Sequence, residues 1–167
     1  MTEAVDAEER AARADRLKER IYIAFATLAV LIAAGGHGSE ALEVLLTLLI
    51  TVGGLVAAVF LADLLSHLVV HSRLPSAREL RGAVGASFGA TLAPVAPALL
   101  LLGAVLGWWS TEAGIIAGQV CVILGLVAVG YLAVRNVPMR WWQRILAIGL
   151  EALLGVVVIV IQVLAHG

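Results

Sequence analysis

Five apolar runs, at about residues 21–35, 42–70, 83–106, 114–134 and 145–165, make up most of this chain, and most of its charged residues stand before the first run or between runs. Crossing hydrocarbon takes roughly 20 apolar residues in a helix. A bilayer has no water to satisfy unpaired backbone groups, so a spanning segment must bond internally. Runs of this length and number predict an all-α fold: a polytopic transmembrane bundle of five helices. Composition agrees, since 62% of the 167 residues are hydrophobic, against about 45–50% in an ordinary soluble domain. The first run is short for a span and needs flanking residues or a locally thin bilayer. The second is longer than a membrane core requires and is expected to tilt or to extend its C-terminal turns towards water.

Charge placement orients the bundle. The 11 Lys and Arg residues fall in three places: Arg10, Arg13, Arg16, Lys18 and Arg20; then Arg73, Arg78 and Arg81; then Arg135, Arg140 and Arg144. In a five-helix chain all three lie on one side. The opposite loops carry Glu40, Glu43 and Glu112 and no basic residue. The positive-inside rule then puts the N-terminus in the cytosol and the C-terminus outside, as a multi-pass protein of the cell membrane. Residues 1–20 read as a charged cytosolic helical segment, with Asp6–Arg10 and Glu9–Arg13 at the supporting i,i+4 spacing. Its mixed charge does not suit a lipid-surface anchor. One alternative leaves the orientation unchanged: run one, followed by "AAGG", also fits a cleaved signal peptide. The net charge of −1 gives no reason to expect a nucleic-acid partner; the expected partner is the lipid bilayer. Cys121, the single cysteine, lies in an apolar run and reads as a packing residue. Trp108-Trp109 and Trp141-Trp142 sit at run ends, where an aromatic belt belongs.

Gly85-xxx-Gly89, Gly103-xxx-Gly107 and Gly114-xxx-Gly118 put small residues on single helix faces, which permits close helix approach in lipid. Tight packing within the chain and contact in a homodimer both remain open. Pro94 and Pro97 interrupt the backbone ladder of run three.

The candidate site is the polar face of "FLADLLSHLVVHSR", residues 60–73. Asp63, His67 and His71 are four residues apart and share one helix face. Glu151 in run five and Tyr131 in run four fall in the same cytosolic half, and inward-turned faces would gather Asp63, His67 and Glu151. Ionisable groups in hydrocarbon cost ~2.5–3.5 kcal/mol at a helix centre and usually pair inside the bundle. Three roles stay open. One is a structural hydrogen-bonded cluster. Another is a site for Fe, Mn or Zn, because carboxylate plus imidazole at i,i+4 suits such ions. The third is a proton relay, since histidine and a desolvated carboxylate titrate near neutral pH. His71 is the weakest candidate ligand, being closest to the interface. No phosphate-binding loop, nucleophile triad or CxxC pair is present, so no enzyme activity is expected.

Two stretches carry a family resemblance. "ELRGAVGASFGATLAPVAPALLLLGA" (79–104) resembles the third helix of the vacuolar iron transporter family, where small residues lead into a P-x-x-P-x-L-L run. "GGLVAAVFLADLLSHLVVHSR" (53–73) looks like that family's second helix, and "RILAIGLEALLGVVVIVIQVL" is similar to its fifth. The resemblance implies the same five-helix topology and a scaffold dimeric through run one. It does not carry over the metal ligands. Where the family has Asn-Asp-Gly in its first helix, this chain has Phe25-Ala26-Thr27. The positions of the family's methionine and glutamate fall at Ala62 and Ser66, beside Asp63 and His67 rather than on them. The cytosolic metal-binding helices are replaced by "SRLPSARELRG". A looser likeness, to small bacterial integral membrane proteins with a His-bearing second helix, adds no mechanism.

The function expected is a small transporter-like membrane protein that binds or moves a divalent cation, with possible proton coupling. Asp63 and His67 would be ligands, Glu151 the facing carboxylate and Tyr131 their supporting partner. The alternative is a non-transporting membrane scaffold or accessory subunit whose polar cluster locks helix packing.

Overall fold

A computed structural model describes residues 2–35, 38–73, 92–135, 140–143, 145, 146, 149, 153, 157 and 160. The fold is all-helical, with no strand among the described residues. Four helices can be followed end to end: α1 (Thr2–Gly35), α2 (Ala41–His71), α3 (Leu92–Val105) and α4 (Thr111–Val134). All described positions from 141 to 160 are helical too and form a fifth element. Two helices are long and apolar enough to cross a membrane, over Ala41–Val70 and Thr111–Ala133.

The charged N-terminal stretch and the first apolar run are one uninterrupted helix, α1. Its apolar half is the centre of the core. Ile23, Ala24, Thr27, Leu28, Leu31 and Ile32 are buried there, against Val44, Leu45, Leu48 and Val52 of α2, Leu101 of α3, and Ile115, Val122 and Leu126 of α4. α1 packs on the other three helices, α2 also on α3, and α3 on α4.

Local chemistry fixes the ends. α2 begins after Glu40, with Glu43 in its first turn, where an acid suits the helix dipole. It stops at Ser72, whose φ of 51° is left-handed and whose N–H donates to the Leu68 carbonyl at 2.9 Å. α4 starts at Ser110, whose hydroxyl oxygen accepts from the Ala113 N–H at 3.2 Å. Between α3 and α4 the chain makes a Schellman turn. Trp108 N–H donates to the Gly103 carbonyl and Gly107 N–H to the Ala104 carbonyl, both at 3.0 Å. Gly107 takes the left-handed residue of that turn at φ +79°. Trp109 then folds back over Gly103, and its indole N–H donates to the Leu100 carbonyl at 2.9 Å.

The helices approach through missing side chains. A Cβ on Gly118 of α4 would lie 3.2 Å from Leu31 Cδ1 of α1 and 3.4 Å from Pro97 Cβ of α3. One on Gly114 would lie 3.4 Å from both Ala104 Cβ and the Leu100 carbonyl oxygen. Gly103, Gly114 and Gly118 therefore serve packing within the chain; Gly85 and Gly89 lie outside the described residues. The neighbours of Gly118, with Gly35 lying against Ile115, make α4 antiparallel to α1. One end of the bundle thus holds the α1–α2 and α3–α4 connections, with Glu40, Glu43 and Glu112 exposed. The other holds Arg20, Ser72 and Arg135.

Candidate functional site

The sequence-derived polar face stands at this second end. Asp63 lies 22 residues past Ala41, the first residue of α2, so it is ~33 Å along the helix at 1.5 Å per residue. It is exposed on α2, and His67, one turn further, is half-buried. Counted from the connecting end, Asp63 therefore stands about one hydrocarbon thickness away (~30 Å).

Acids of α1 act on Asp63 through their charge. Asp15 and Glu19 lie close enough for their charges to bear on it. Glu19 is partly enclosed, and its Oε2 is buried with no hydrogen-bond partner among the described residues. Burial pushes the Glu19 carboxyl above its ordinary 4.5; the negative charges of Asp63 and Asp15 push the same way, and Arg16 opposes them. Asp15 also accepts a hydrogen bond from Lys18 Nζ at 3.0 Å, one turn away on the exposed face. That bond, more than the plain attraction, holds the Lys18 amine above its usual 10.5.

Glu19 is the residue that reading the sequence missed, because it stands in a stretch that looks like solvated helix. A signal was available. The apolar part of α1 spans only residues 21–35, whereas α2 runs on to residue 71. In an antiparallel hairpin the surplus of α2 must lie beside the charged part of α1.

The other expected members fare differently. Glu151 lies outside the described residues. His71 ends α2, but its side chain lies outside the description as well. Tyr131 is on α4 at the same end, with 55% of its surface exposed, so it points away from the bundle interior. Among the described residues no group of three His, Cys, Asp or Glu side chains is placed to hold a metal ion. Asp63 and His67 remain neighbours on one face. The pair Glu19–Asp63 offers a different chemistry: two carboxylates that repel each other and so favour an intervening proton or cation.

Elsewhere two polar side chains find partners, one within its own helix and one across helices. Thr27, fully buried, donates to the Ile23 carbonyl at 2.8 Å. Gln119 Nε2 of α4 donates to the Leu31 carbonyl of α1 at 3.3 Å, which is the cross-helix use of such residues. Thr47 and Thr51 are exposed on α2, and Gln162 lies outside the described residues.

The chain matches no family model, no curated protein and no solved structure at a similarity that carries an argument. The likeness to vacuolar iron transporters therefore rests on the residues quoted for it alone.

Proposed function

We propose that this chain is a small multi-pass membrane protein, with a cytosolic N-terminus and an outer C-terminus. Its α1–α2 carboxylates take up a proton or a divalent cation (Fe, Mn or Zn) at the cytosolic mouth, as the entry step of a transporter-like activity. The membrane reading is supported by where the apolar surface lies. Only 22% of the most apolar window of each spanning candidate is buried. Leu42, Leu46, Leu49 and Ile50 of α2 and Ile116, Val120 and Leu124 of α4 are all exposed. A soluble core helix hides such residues; a helix facing lipid displays them. One end exposes Glu40, Glu43 and Glu112 with no Lys or Arg, and the described basic residues lie towards the other, which supports the orientation. α1 supplies the centre of the core, which favours a retained first helix over a cleaved one.

The observation that carries the ion reading is the buried Glu19 Oε2 of α1, within range of the negative charge of Asp63 on α2, with His67 one turn beyond Asp63. Like charges placed this way are relieved by binding a proton or a cation. A second reading has its own support. The interior among α1–α4 is filled by Leu28, Leu31, Leu48, Leu101 and Val122, which suits a non-transporting scaffold or accessory subunit.

Flux of Fe(II), Mn(II) and Zn(II) into proteoliposomes, with and without a pH gradient, separates the two. The transporter reading expects flux above empty liposomes that is lost in Asp63→Asn. Folded protein with no flux favours the scaffold.

A further inference from the structure

On the membrane reading above, the basic end has a further property. It carries both exposed arginines and exposed aromatic rings. Arg16 and Arg20, one turn apart on one face of α1, are exposed, and Tyr22, 61% exposed, lies at the level of Arg20 on another face of the same helix. Tyr131 of α4, 55% exposed, is followed four residues later by Arg135, which caps the helix. Arg140 is followed directly by Trp141 and Trp142, 75% and 46% exposed. Two counts place the first two pairs in one layer. Arg20 lies 15 residues before Gly35, and Tyr131 lies 16 residues after Ile115; Gly35 and Ile115 touch. At 1.5 Å per residue both levels are ~22–24 Å from the acidic end.

Exposed apolar side chains adjoin the rings of α4 and of the final helical stretch: Leu124 and Leu132 near Tyr131, and Ile145 and Leu146 after Trp141 and Trp142. A soluble acidic protein or a nucleic acid would use the guanidinium groups and leave the apolar side wet. A phospholipid uses both, with its phosphate on the arginine, its glycerol region beside the ring and its acyl chains on the leucines. Lys18 contributes less, because Asp15 already holds it. The opposite end, with Glu40, Glu43 and Glu112 exposed, repels the same headgroups.

We propose that the rim carrying Arg16, Arg20 and Arg140, with Tyr22, Trp141 and Trp142, binds anionic phospholipid headgroups of the cytosolic leaflet, so that the protein selects anionic over zwitterionic lipid.

The test uses the full chain in vesicles of phosphatidylcholine alone or mixed with phosphatidylglycerol. Lipid retained on the extracted protein is read by native mass spectrometry. Resistance to alkaline extraction from the same vesicles reports the membrane reading separately. The expected result is preferential retention of phosphatidylglycerol, weakened by salt and falling ~5-fold for each arginine changed in R16Q, R20Q and R140Q. The matching Arg→Lys variants keep most of the preference. If the triple glutamine variant aggregates, the three single variants carry the same comparison. Equal retention of the two lipids by stably inserted wild-type protein overturns the proposal, as does a preference untouched by removing these arginines. Complete release on alkaline extraction instead overturns the membrane reading on which the proposal stands.

Discussion

Two helix meetings in this bundle are built on opposite principles. At Gly118, α4 meets α1 and α3 by having no side chain to separate them, and the surroundings are aliphatic. At Glu19 and Asp63, α1 passes α2 with a partly enclosed acid in range of another's negative charge. The first meeting is close-packed and holds position; the second keeps a cost in place that a bound proton or cation would remove. Dispersion in a dry contact falls off steeply with any gap or clash. Charge repulsion at a half-exposed edge is softened by water and changes with pH. The difference teaches where this chain can be altered cheaply.

The largest expected effect lies at the dry meeting. Gly118→Val drives a branched side chain into Leu31 and Pro97. It should cost ~1–3 kcal/mol, as overpacking does, and lower the thermal midpoint of detergent-solubilised protein. Gly118→Ala should cost far less, because its nearest contact is the flexible end of Leu31. Equal midpoints for valine and wild type would erase the contrast between the two meetings.

Next comes Gln119→Leu, which removes the amide bonded to the Leu31 carbonyl. Cross-helix bonds of this kind average ~0.6 kcal/mol in membrane proteins, so a small drop is expected in the same melt. A loss as large as that of Gly118→Val would mean that the polar bond, not the close packing, holds α4 to α1.

Glu19→Gln should act in the other direction. Burial and two acidic neighbours raise the Glu19 carboxyl above 4.5 in the folded protein. A raised carboxyl favours the folded state while it is protonated, below its unfolded value. That advantage is lost as pH rises through the folded value. The glutamine variant escapes the loss. It should therefore melt slightly above wild type at neutral pH, and the gap should close on acidification below about pH 4, where an unperturbed glutamate is protonated. A gap independent of pH would show that packing, not charge, is what the substitution changes.

The same contrast explains what could be read in advance. Helical class and the two long apolar helices follow from run length, because hydrocarbon-length stretches of Leu, Val and Ala have no other way to bond their backbones. The glycines of α3 and α4 were legible as close-approach points, though not which helix each would meet: the Gly118–Leu31 contact joins residues far apart in the chain. Asp63 and His67 were legible as one face from their spacing. Glu19 was not, because a glutamate among arginines carries no mark of its burial until the register between α1 and α2 is known. That register follows from the unequal lengths of two apolar runs and a short connection, not from any motif.

Thr27 and Gln119 differ in a way that concerns time. The Thr27 hydroxyl is satisfied by the carbonyl of Ile23, four residues back in its own helix. The Gln119 amide bonds to Leu31, 88 residues away. On the membrane reading, α1 leaves the ribosome long before α4. It can wait in lipid with its one buried hydroxyl already provided for. Gln119 arrives last among the described core polar groups and finds an acceptor already standing in the bilayer. The order of synthesis thus matches the order in which the polar groups need partners, and the early helix can serve as a template for the late one.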